Sequence, residues 1–278
     1  MERPSRPHVT LLDGFGLDLS GSARGPAPDD LPRAVQRLLA HLCLQRRATR
    51  AATAVRLWPG APEDHAHGSL RSALWRLNRA APGLVEGTGG SLHLTAAARV
   101  DVHDLEAWAR RSTAPGTRAG DVGLPEPVLL GDLLPGWYDD WVLLERERLR
   151  QVRVRALEAV AVRLACAGRH GEALQAAHAA VRDEPLRESA HRVVVGVHLA
   201  EGNVAEAVRA YELFRAMLAD ELDVAPSEQL TGLVRHVPRV RRIACTAPER
   251  AGAPRPGRAP LASAVRPPER RSLSLTSR

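Results

Sequence analysis

Lysine is missing from this chain: all 39 basic residues among its 278 are arginine. A P-loop, a Schiff-base enzyme and a lysine general base are thereby excluded, because each depends on a lysine amine. Aromatic residues make up only 3%, so leucine, valine and alanine must fill the core. Three cysteines (Cys43, Cys166, Cys245) with no CxxC spacing argue for a reduced, cytoplasmic protein without a disulfide framework or zinc knuckle. No apolar run approaches the roughly 18–20 residues that cross a bilayer, and residues 1–7 are not followed by an apolar signal segment, so no membrane partner is expected.

What is present points to two modest domains, on length alone. The net charge of +7 is unevenly placed. Residues 235–278 hold 11 arginines against Glu249 and Glu269, a local +9, whereas residues 111–234 hold 14 arginines against 19 acids, or −5. The basic character is therefore mostly a property of the tail and is weak evidence for nucleic acid by itself.

Residues 8–20 read as two short strands broken at Asp13-Gly14. A helix over 31–45 follows, with Val35, Leu38, Leu39 and Leu42 at helical spacing and Pro32 in its first turn. Thr49 can cap a second helix that Pro59 and Gly60 stop. A third helix spans about 64–81, then a hairpin whose turn is residues 86–90, then a short helix near 103–110. That order is a winged helix-turn-helix, assigned to residues 1–110. Residues 111–136, proline- and glycine-rich, read as a linker with a short packed segment around 128–134. Residues 137–240 are helical almost throughout and repeat with an offset of 34. Gly168-Arg-His-Gly-Glu172-Ala173-Leu174 aligns with Gly202-Asn-Val-Ala-Glu206-Ala207-Val208, the period of tetratricopeptide helix pairs. Residues 241–278 read as a disordered basic tail. The fold class is thus mainly α: a winged helix followed by an all-α, tetratricopeptide-like repeat domain.

On the third helix, Leu70, Ala73, Leu74 and Leu77 gather on one stripe. Ser72, Trp75 and Arg79 share the opposite face, flanked by Arg71, Asn78 and Arg76, and no acid lies between His65 and Pro82. An arginine-lined, acid-free face suits a helix entering the DNA major groove, where arginine reads guanine edges or clamps phosphate. The same pattern also fits an amphipathic surface helix with a solvated basic face. Trp75 has three readings: contact with sugar or thymine methyls, packing over a neighbouring protomer, and partial burial under the wing. Arg71, Ser72, Trp75, Arg76, Arg79 and, on the glycine-rich turn, Thr88 are the candidate DNA-binding residues.

Leu57-Trp58-Pro59-Gly60 followed by Ser69-Leu70-Arg71-Ser72-Ala73-Leu74-Trp75-Arg76-Leu77 resembles the DNA-binding domain of Streptomyces antibiotic regulatory proteins (SARPs). Leu134-Pro135-Gly136-Trp137-Tyr138-Asp139-Asp140-Trp141-Val142 and Glu145-Arg146-Glu147-Arg148-Leu149-Arg150 resemble the opening of their bacterial transcriptional activator domain. Asp220-Glu221-Leu222-Asp223-Val224-Ala225-Pro226-Ser227 resembles its close. The resemblance spans roughly residues 8–237. It implies an OmpR-like winged helix joined to a helical activator domain, in the small form of the family. Implied partners are promoter direct repeats in double-stranded DNA, bound as a homodimer, and RNA polymerase, with a nucleoid-associated location and no cofactor. It maps the recognition helix onto residues 65–81, the wing onto 85–94 and a polymerase-facing loop onto 58–64. Asn78 stands where the family usually has arginine, and Thr53 where it usually has a larger apolar residue.

The runner-up is a protein-interaction scaffold in which the helical repeat dominates and the N-terminal domain is degenerate. An enzyme ranks behind both. The histidines are scattered, His65-Ala-His67 lacks partners at metal spacing apart from Asp64, and no nucleophile, base and orienting group come together in the sequence.

Overall fold

The computed structural model describes residues 6–19 and 31–235. The basic tail at 241–278 lies outside them. Strands β1 (His8–Thr10) and β2 (Gly16–Asp18) pair antiparallel, with Asp13 and Gly14 at positive φ in the break foreseen between them. Helix α1 (Arg33–Gln45) buries Val35, Leu38, Leu39 and Leu42 as the spacing predicts, with Pro32 just before it rather than inside its first turn.

Strand β3 (Ala48–Thr49) leads into α2 (Arg50–Leu57). The hydroxyl of Thr49 accepts the Ala52 N–H at 3.2 Å, the expected cap. Thr53 is fully buried, yet its hydroxyl donates to the Thr49 carbonyl at 2.8 Å and so loses no hydrogen bond on burial. Helix α3 (Glu63–Ala80) buries Ala66, Leu70, Ala73 and Leu77 against α1 and α2.

The hairpin of β4 (Val85–Thr88) and β5 (Ser91–Leu94) pairs Thr88 with Ser91. Its turn is only Gly89 and Gly90, at φ of +59° and +80°. A two-residue hairpin turn with positive φ at both positions suits glycine, so β4 continues through three residues expected to lie in the turn. Strand β3 pairs with the far side of β5, giving the sheet order β3-β5-β4. A second sheet, β2-β1-β6, forms where β6 (Arg99–Val100) runs parallel to β1. Helix α4 (Asp101–Thr113) outruns its expected end by a turn. The buried Asp101 carboxylate accepts the Leu11 and Leu12 N–H groups at 2.8 Å each, tying the start of α4 to the end of β1.

Residues 111–136 are not a free linker. After α4 come two single 3-10 turns, Ala119–Asp121 and Pro127–Leu130, and Val122, Leu129, Leu133 and Leu134 are buried. Leu12 and Leu133 form an isolated antiparallel bridge, and the Leu134 N–H donates to the Leu11 carbonyl at 2.8 Å. Arginine adds donors to this strap: Arg146 donates to the carbonyls of Leu133, Leu134 and, just beyond it, Trp137 at 2.9, 2.9 and 3.2 Å. Irregular backbone can be buried when a side chain supplies the missing donors.

Beyond the strap lie α5 (Asp140–Cys166), α6 (His170–Asp183), α7 (Glu188–Glu201), α8 (Val204–Leu222) and α9 (Glu228–Arg235). Gly168 and Gly202, the aligned glycines, both take positive φ between paired helices. Ala173 and Ala207, aligned five residues later, are both fully buried. The result is mainly α, a winged helix continuous with a tetratricopeptide-like stack.

The two parts meet along α1, α4 and α5. Arg37 pairs with Asp139 at 2.6 Å, Arg33 lies 3.5 Å from the centroid of the Trp137 ring, and His41 meets Trp141 edge-on with ring centroids 5.6 Å apart. Glu106 bridges Arg46 at 2.7 Å and Arg148 at 2.9 Å. Asp139 and the two tryptophans of the Trp137–Trp141 motif thus hold the winged helix onto the repeat.

Candidate nucleic-acid interface

Burial of Leu70, Ala73 and Leu77 fixes the rotation of α3, because residues three and four apart share a face. The opposite face must then point outward. Arg71, Ser72, Trp75, Arg76 and Arg79 are all exposed on it, and Asn78 beside them. Trp75 is 62% exposed, and it also lines the space beside the hairpin with Val85 and Leu92. The Arg79 guanidinium sits 5.6 Å from the Trp75 ring centroid, a cation–π contact across one helical turn. None of Arg71, Arg76 or Arg79 has an ion-pair partner among the described residues. The acids of α3, Glu63 and Asp64, are confined to its first turn, where the helix dipole favours them, and Glu63 lies 3.7 Å from His67.

A cleft of about 300 Å³ separates α3 from the hairpin. Its floor is apolar, made by Leu74, Leu77, Val85 and Leu92, and Arg71, Trp75 and Asn78 reach it from α3. A wider groove on the other side of α3 runs past Ser72 and Arg76 toward Ala34 and Trp58. Arg71 borders both grooves, so it joins the two halves of the basic surface. Thr88 is exposed at the hairpin tip. Side chains alternate along a strand, so Thr88 lies on the face opposite Val85 and Gly87 and does not line the cleft. The structure therefore brings five of the six candidates onto one surface and leaves Thr88 at its edge.

One exposed arginine on this surface is absent from the candidate set. Arg50, the first residue of α2, reaches the cleft from the side of the hairpin. Nothing local marks it, since its neighbours in the cleft are more than 20 positions away in sequence.

Comparison with known proteins agrees with this architecture. Residues 128–237 match the family model of the bacterial transcriptional activator domain. The regulatory protein AfsR of Streptomyces griseus is 31% identical over 208 residues, covering 69% of this chain and 21% of AfsR. AfsR of Streptomyces coelicolor is 28% identical over 211 residues, covering 72% and 21% respectively. The chain carries a bacterial transcriptional activator domain over residues 128–237 and is similar to these two regulators. It spans about a fifth of the length of those two relatives. Mycobacterium tuberculosis EmbR, solved in complex with a low affinity phosphopeptide, superposes with a TM-score of 0.65 at 20% identity, over 82% of this chain and 64% of EmbR, and so shares its fold. No helix among the described residues is long and apolar enough to cross a membrane, and no group of three or more metal-ligating side chains is assembled among them.

Proposed function

We propose that this protein is a sequence-specific DNA-binding transcriptional regulator that activates secondary-metabolite genes. Residues 1–110 carry DNA binding, with α3 in the major groove and the hairpin on the flanking backbone. Residues 137–240 carry the activator role. One observation supports this above the others: the exposed α3 face presents three arginines with no carboxylate partner among the described residues, in a chain that also contains a bacterial transcriptional activator domain. Arginines left unpaired by their own fold are available to guanine edges and phosphates. In this reading Arg71, Arg76 and Arg79 contact DNA, Ser72 and Trp75 fill the surface between them, and Thr88 touches the backbone from the hairpin tip. The protein binds direct repeats as a homodimer, works at the nucleoid, needs no cofactor and performs no catalysis. RNA polymerase is met through residues 58–64, of which Pro59 and Gly60 are exposed.

Footprinting of the purified chain across the promoters of neighbouring genes tests this. Two protected direct repeats are the expected result. Uniform protection erased by moderate salt would overturn the reading and favour a helical-repeat scaffold whose basic residues bind DNA without selection.

A further inference from the structure

We propose that Arg50 is a phosphate-binding residue of the DNA interface: with Arg71 it holds one backbone phosphodiester in the cleft between α3 and the hairpin. This rests on the DNA-binding reading of the same surface.

The position of Arg50 is fixed by the sheet rather than by α2 alone. Strand β3 pairs Ala48 with Leu92 and Thr49 with Ser91, and the Arg50 N–H then donates to the Gly90 carbonyl at 3.0 Å. The backbone of Arg50 is thus attached to the hairpin, and its side chain extends across β4. A Cβ on Gly87 would lie 3.2 Å from Arg50 Nη2, so a side chain at 87 would displace the guanidinium by a few tenths of an ångström. Arg71 reaches the same cleft from α3, the Asn78 amide adds a polar group, and no carboxylate among the described residues lines it.

Two guanidinium groups over an apolar floor, without an acid, call for an anion with an apolar flank. A sugar-phosphate unit has that chemistry. Arg50 belongs to the hairpin side of the cleft, away from the helix that would face base edges. It therefore contacts the strand's backbone and carries no sequence preference.

The test is equilibrium binding of the full chain to the footprinted duplex and to a scrambled duplex of equal length, over a salt series. It compares wild type, Arg50→Gln and Gly87→Val, with thermal melts to verify folding. Arg50→Gln should weaken both duplexes by the same factor and reduce the slope of log affinity against log salt by about 1, as loss of one phosphate contact does. A neutral methylphosphonate moved along the strand should reveal one position at which Arg50→Gln costs nothing further. Gly87→Val should give a smaller loss in the same direction; if it melts early, Arg50→Gln decides alone. A loss confined to the footprinted duplex would make Arg50 a base reader and overturn the proposal. So would an unchanged slope, or competition by millimolar inorganic phosphate with no methylphosphonate effect. In those cases selective binding by wild type leaves the DNA-binding reading standing. Absence of selective binding by wild type removes both.

Discussion

The exposed face of α3 and the seam between α1, α4 and α5 are both built with arginine, and the two regions use it in opposite ways. On α3, Arg71, Arg76 and Arg79 stand without a carboxylate partner among the described residues. At the seam, Arg37 has Asp139, and Arg46 and Arg148 share Glu106; between α5, α6 and the strap, the buried Arg153 likewise donates to Asp183 at 2.5 Å and to the Gly131 carbonyl at 2.8 Å. Arginine serves both purposes because its planar guanidinium forms several directed hydrogen bonds, to backbone carbonyls as readily as to phosphate. What differs is the supply of acceptors. Where the fold provides acids and carbonyls, arginine is structural; where it provides none, the acceptor must come from outside.

The sharpest way to break this contrast is to remove an aromatic from the seam. Trp141 is nearly fully buried against His41, so Trp141→Ala should cost about 3–5 kcal/mol, read as a lowered urea midpoint. A loss under about 1 kcal/mol would mean that the seam can re-form without it and is not a structural region in the sense argued above.

Acid sharpens the same region. Burial, aided by the nearby charge of Arg56, pushes the His41 pKa down from 6.5 to about 4. The unfolded chain then takes up this proton first as pH falls. The stabilising contribution is complete above about 6.5 and is lost as pH drops toward about 4. Thermal melts of wild type should fall over this window, and His41→Phe should flatten the fall. An equal fall in both proteins would assign the acid sensitivity to other groups, such as His191, whose pKa burial also lowers.

On α3 the expectation reverses. Arg76→Ala or Arg79→Ala should leave the melting temperature unchanged while costing about 1–3 kcal/mol on the cognate repeat and less on scrambled DNA. Equal losses on both duplexes would reduce α3 to a phosphate clamp, and a preference that survives replacement of Arg71, Arg76 and Arg79 would place recognition elsewhere.

The smallest effect belongs to Glu106. Burial raises its pKa, but hydrogen bonds from Arg46 and Arg148 outweigh that and hold it below the usual carboxylate range. Both arginines remain partly exposed, so Glu106→Gln should cost about 1 kcal/mol or less in urea titration, shrinking in high salt. A salt-independent loss would show that this bridge is more deeply screened from water than its exposure implies.

Much of this architecture was readable along the chain because its causes are local. Leucine spacing placed the buried stripes of α1 and α3, the Thr49 hydroxyl marked the start of α2, and the 34-residue echo located Gly168 and Gly202 at equivalent junctions. The outward face of α3 followed from the same periodicity, so Arg71, Arg76 and Arg79 could be selected without a structure. Local reasoning erred where an irregular segment finds its partners far away. Residues 111–136 carry the composition of a linker, yet Leu12 bridges Leu133 and Arg146 donates to the carbonyls of Leu133 and Leu134, contacts that a composition window does not register.

By itself, then, the sequence determined the helices, the cap of α2 and the arginine face, because each depends on residues within a turn or two, and the repeat, because both copies carry the same local pattern. The tertiary structure alone decided that the strap is packed, that Trp75 is exposed and that Arg50 reaches the hairpin cleft. Those outcomes depend on pairings such as Ala48 with Leu92, in which the chain closes a loop of more than 40 residues and local propensity has no part.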